Sequence, residues 1–123
     1  MSLTFHSKPV LIPGTLKGYT YTEEKIRKMK LPDQVPLVKD FNPTDVYGYV
    51  KNFRFSHAIK GIIADFVLVK NMPYAGYGAE IEVSKLSKKK PNEPKEFNIH
   101  LISFVKRPVS VKFMLRRIKQ LKR

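Results

Sequence analysis

A chain of 123 residues with 42% hydrophobic content is long enough for one domain and apolar enough to bury a core. It contains no cysteine, which excludes a disulfide framework, a thiolate metal site and a cysteine nucleophile. Its formal net charge of +14, from 24 Lys and Arg against 10 Asp and Glu, points to an anionic partner such as nucleic acid or an acidic protein.

Val10-Leu11-Ile12 followed by Pro13-Gly14 predicts a short strand ending in a turn. Thr22 then reads as an N-cap, with Glu23 and Glu24 in the first helical turn, Lys25, Arg27, Lys28 and Lys30 after them, and Pro32 as the stop. Pro36-Leu37-Val38 predicts a second strand, leading into a polar turn over residues 40–45. The next segment alternates: Tyr47, Tyr49, Lys51, Phe53 and Phe55 fall on one face, and Val46, Gly48, Val50, Asn52 and Arg54 on the other. Residues 61–69 form a β-branched run buried on both faces and interrupted by Asp65, and they pair with the preceding strand as a long hairpin. Residues 71–78 are a loop and residues 79–86 a further strand. The lysine-rich stretch 85–95, with Lys88, Lys89 and Lys90 before Pro91, reads as a hairpin tip leading to a strand over 97–105. Residues 109–123 have helical period, with Val111, Met114, Leu115, Ile118 and Leu121 on one face and basic residues around the rest. The expectation is one α+β domain over 1–123: a small antiparallel barrel or coiled sheet with about two helices, the second basic and C-terminal.

The charge is unevenly placed. Residues 106–123 contain Lys106, Arg107, Lys112, Arg116, Arg117, Lys119, Lys122 and Arg123, and no acid. With Lys88, Lys89 and Lys90, the basic residues of the final helix are the candidate contacts to DNA, RNA or another polyanion, and their affinity should fall steeply with salt. A solvated amphipathic helix explains the same pattern. Tyr47, Tyr49, Phe53 and Phe55 suit either a base-stacking platform or a core. His6, His57 and His100 lack metal-ligand spacing, no phosphate-binding glycine loop is present, and no cofactor is expected. No apolar run approaches the ~18 residues of a membrane span, and the N-terminus does not read as a secretory leader, so a cytoplasmic protein without membrane partners is expected.

A hydroxyl nucleophile needs a base and a group that orients it. Ser84 and Ser103 lie on successive predicted strands, and His100 on the later one could face Ser84. The order of Val10-Leu11-Ile12-Pro13-Gly14, Tyr21-Thr22-Glu23-Glu24, Val35-Pro36-Leu37-Val38-Lys39-Asp40, Tyr47-Gly48-Tyr49-Val50, Ile81-Glu82-Val83-Ser84 and Leu101-Ile102-Ser103-Phe104 resembles the tailed-phage prohead protease family, related to herpesvirus assemblin. That resemblance spans about residues 10–108 and implies a small β-barrel that processes scaffold and capsid proteins, with Ser84 as nucleophile. The family's histidine falls on Phe41 and its acidic member on Leu101, so a base would have to come from His57 or His100. The resemblance therefore implies a capsid-assembly or scaffold component without proteolytic activity, compatible with an oligomer and with the procapsid interior. The alternatives are an active serine protease using Ser84 and a cellular nucleic-acid-binding protein.

Overall fold

The computed structural model describes residues 2–16, 18–74, 76–86 and 88–106. The helix predicted over 109–123 lies outside the described residues, as do Lys112, Arg116, Arg117, Lys119, Lys122 and Arg123. Among the described residues, eight strands and one helix follow in chain order: β1 (Leu3–Leu11), β2 (Gly14–Leu16), β3 (Tyr19–Tyr21), α1 (Glu23–Lys28), β4 (Gln34–Lys39), β5 (Asn42–Ser56), β6 (Gly61–Leu68), β7 (Gly76–Leu86) and β8 (Pro94–Val105). The expected α+β architecture with about two helices is thus corrected to a mostly β fold with one short helix among the described residues. The physical reason is local. Thr22 caps α1 as expected, its Oγ1 accepting from Lys25 N–H at 3.2 Å, but Met29 already has extended backbone, so α1 is six residues long.

Six strands form one sheet in the order β1-β6-β5-β4-β8-β7, and β2 and β3 form a separate small hairpin. β4 pairs parallel to β8 and every other pair is antiparallel, so the sheet is mixed. Its two edges approach each other: the buried Tyr77 hydroxyl on β7 donates to the Pro9 carbonyl on β1 at 2.7 Å. The sheet therefore curls into a half-barrel.

The concave side holds the core, including Leu37, Val50, Ile62, Phe66, Ile102 and Phe104. Ile26 of α1, 1% exposed, plugs one end, beside Tyr21, whose ring meets Phe97 edge-on at 4.8 Å. Burying such a side chain stabilises the fold by about 1.5–3 kcal/mol. β6 is buried along almost its whole length, as its composition predicted.

The aromatic alternation of β5 is broken. An extra residue at Tyr47 opposite β4 and a second irregularity after Lys51 opposite β6 shift the facing. Tyr47, Phe53 and Phe55 pack against the core, whereas Tyr49 lies outside with Lys51, whose ammonium sits 5.9 Å from its ring centroid. A single four-ring stacking platform on β5 does not exist.

Candidate functional site

The residues proposed for hydrolysis are spread across the fold. Val83 pairs with Phe97 and Lys85 with Glu96, so the backbone of Ser84 lies opposite residues 96–97. His100 falls at the register irregularity between the Glu80–Leu101 and Ile81–Ile99 pairs. At ~3.3 Å per residue, the ladder offsets the two positions by about 10 Å along the strands. His100 is exposed, and His57 is exposed in the turn after β5 with its ring edge-on to Phe55. Leu101 is a buried apolar residue and Phe41 lies at the β4–β5 turn.

Ser103 has a structural role. It is fully buried; its Oγ accepts from Phe41 N–H at 2.8 Å and lies 3.1 Å from the Phe104 carbonyl, to which it donates. It therefore clamps the β4–β5 turn. Ser103→Ala is expected to cost about 1–2 kcal/mol in urea unfolding and to raise hydrogen exchange at the Phe41 amide.

A polar cluster that the sequence suggested only as an interruption surrounds Asp65. This residue is 5% exposed in β6, between β1 and β5. β1 places His6 and Ser7 against the one residue Asp65, and β5 places Asn52 and Phe53 against Ala64. Ser7 and Asn52 adopt left-handed backbone (φ 57° and 56°) at these two bulges. Both turn towards the carboxylate. Ser7 N–H donates to Oδ1 and Asn52 Nδ2 to Oδ2, each at 2.9 Å; Arg54 Nη2 lies at 3.4 Å and His6 Nδ1 at 3.5 Å. Arg54 also donates to Ser7 Oγ and the Asn52 carbonyl, both at 2.6 Å. Burial pushes the Asp65 pKa up, but the donors from Asn52 and Ser7 and the charge of Arg54 outweigh it and hold the group at about 2. The hydroxyl of Ser7 is engaged by Arg54, and the cluster reads as a fully satisfied brace holding three strands together.

A basic groove lies on the surface beside α1. It is lined by Lys25, Lys28, Met29 and Lys30 from α1 and its exit, and by Lys95, Glu96, Phe97 and Asn98 from β8. Its volume is about 400 Å³. Phe97 is buried beneath it, while Lys28, Lys30 and Lys95 are exposed. The lysine-rich β7–β8 turn joins the same region: Thr20 N–H donates to the Asn92 carbonyl at 2.6 Å, tying that turn to the β2–β3 hairpin. Glu24 records the resulting field. A hydrogen bond from Lys28 chiefly lowers its pKa, and the charges of Lys28, Lys25 and Lys90 add to the shift. Lys88, Lys89 and Lys90 are exposed in that turn, and Lys90 is the one whose charge reaches Glu24. Glu23, Glu24 and Glu93 pair with Arg27, Lys28 and Lys90, but ion pairs at the solvated surface contribute little and leave the lysines able to meet a phosphate.

Among the described residues, no three His, Asp or Glu side chains converge to hold a metal ion, and no helix is long and apolar enough to cross a membrane. No protein-family model, no curated protein and no solved structure matches the chain.

Proposed function

We propose that this chain binds a polyanionic backbone, nucleic acid foremost, and does not act as a protease. The observation that carries the proposal is the convergence of Lys25, Lys28, Lys30 and Lys95 on one groove, with Lys90 close enough to act on Glu24. Lysines placed along a groove neutralise successive phosphates and release their counterions, which supplies sequence-independent affinity. Two features favour a non-proteolytic role. Phenylalanine at position 41 supplies no base, and the strand register offsets Ser84 from His100. The resemblance to capsid-maturation proteases supplies a setting: a scaffold or capsid-assembly component would present this groove to nucleic acid within the shell.

The test uses the full chain with lysines reversed, Lys28→Glu/Lys30→Glu/Lys95→Glu. All three side chains are exposed, so the fold should survive. Affinity for a labelled single strand of about 20 nucleotides, and for inorganic polyphosphate, is expected to fall about 100-fold or more at low salt. Affinities within threefold of the unaltered chain would remove the groove from the proposal.

A further inference from the structure

The large apolar side chains exposed among the described residues gather at one end of the half-barrel. Leu3 pairs with Leu68 at the end of β6, Val69 follows it and donates its N–H to the Tyr47 carbonyl at 2.9 Å, and Val46 and Phe41 lie at the start of β5. The lysine groove lies elsewhere, beside α1 and the first half of β8. Two tyrosines and three lysines accompany the apolar residues. Lys39 and Lys106 stand over the Tyr74 ring at 5.5 and 5.8 Å from its centroid, and Lys70 stands over the Tyr47 ring at 5.1 Å. The Tyr74 hydroxyl donates to Asp40 Oδ2 at 3.1 Å, which fixes its ring beside the β4–β5 turn.

That turn is held in a costly conformation. Lys39 pairs with Asn42, leaving Asp40 and Phe41 as a two-residue connection, and both have left-handed backbone (φ 52° and 56°). Such turns favour Asn-Gly, and a bulky residue at positive φ is a rare outlier. β8 enforces it: Asp40 N–H donates to the Phe104 carbonyl at 3.0 Å, and Phe41 N–H donates to the buried Ser103 Oγ at 2.8 Å. The fold thus holds a phenylalanine, 37% exposed, at a strained tip beside two lysine-bearing tyrosines. Strain that the surroundings overdetermine is a marker of function.

We infer that this end of the half-barrel is a base-stacking surface for single-stranded nucleic acid, with Phe41 as the exposed ring and Lys39, Lys70 and Lys106 taking the flanking phosphates. This inference rests on the nucleic-acid function proposed above and specifies its substrate. Relative magnitudes favour exchange at the rings. An exposed ammonium–ring contact contributes about 2- to 5-fold to an equilibrium constant, whereas a base on an aromatic ring contributes about 5- to 150-fold. An arriving base therefore displaces a lysine head towards the phosphate beside it. A duplex cannot make this contact because its base faces are stacked inside. A symmetric contact with a second copy would set the same three lysines against each other.

The test compares the full chain with Phe41→Asn and Phe41→Trp. Asparagine tolerates left-handed backbone, so Phe41→Asn keeps the turn and should melt no lower than the parent. Binding is measured to an oligothymidylate of about 20 nucleotides, to a duplex of equal length and to inorganic polyphosphate. Phe41→Asn is expected to weaken single-strand binding at least 5-fold, with polyphosphate affinity within twofold of the parent and Phe41→Trp restoring the single strand. Unchanged single-strand binding by Phe41→Asn, or equal competition by the duplex, overturns the inference. So does a dimer that Phe41→Asn dissociates without changing oligothymidylate affinity. If the groove reversal abolishes polyphosphate binding while Phe41→Asn leaves the single strand unaffected, the polyanion function stands and the stacking surface falls. A parent chain that binds none of the three ligands overturns both.

Discussion

Replacing Asp65 by alanine is expected to lower the unfolding free energy at neutral pH by about 3 kcal/mol. The carboxylate is buried and serves donors on both neighbouring strands, so its removal takes the shared acceptor from the Ser7 amide and the Asn52 side chain together and leaves a gap in β6. Arg54 is 40% exposed and can turn to water, which keeps the cost below that of stranding a buried charge. The pH dependence follows from the same bonds. The folded Asp65 pKa is depressed from 3.8 to about 2, so the native state favours the ionised form. The stabilisation, about 2 kcal/mol, is fully present above pH ~4 and is lost as pH falls towards ~2. Urea midpoints of the parent and Asp65→Ala should therefore converge on acidification. A constant gap from pH 7 to pH 2 would show that the carboxylate's charge contributes nothing.

Gly48→Ala is the second large effect. A Cβ on Gly48 would lie 1.9 Å from the Val67 carbonyl oxygen and 3.0 Å from its carbon, both backbone atoms of the adjacent strand. Neither can rotate away, so β5 and β6 must separate locally. The cost is expected to be about 2–4 kcal/mol. A thermal melt within 2 °C of the parent would mean that the sheet yields more easily than its close approach indicates.

Local chemistry was legible in the sequence. Thr22 announced the helix start, the apolar run of β6 announced a strand buried on both faces, and the lysine-rich stretch announced a hairpin tip between β7 and β8. Bulges were not legible. Ser7 carries no glycine-like signature and Asn52, inside an alternating run, only the weak one of any asparagine, yet their left-handed backbone resets the facing of β1 and β5. This is why the first half of β1 did not read as a strand and why the aromatics of β5 read as one face. The parallel β4–β8 pair and the β2–β3 hairpin also escaped, because neither has a pattern of its own beyond three-residue pairings. Asp65 did leave a usable signal: a lone acid inside an apolar run must find partners if it is buried. The groove left none. Lys25, Lys28 and Lys30 are separated from Lys95 by most of the sheet in sequence, and only the folded chain brings them to one groove.

Groove lysines that contact phosphates directly make affinity depend on salt, and the slope of that dependence counts the contacts. For the full chain, the logarithm of the association constant for a single strand should fall linearly with the logarithm of salt concentration. Each lost phosphate contact should flatten that slope by about 0.7. Lys28→Glu/Lys30→Glu/Lys95→Glu is predicted to bind far more weakly and with a slope shallower by about 2. An unchanged slope, or a parent affinity indifferent to salt, would contradict direct contact.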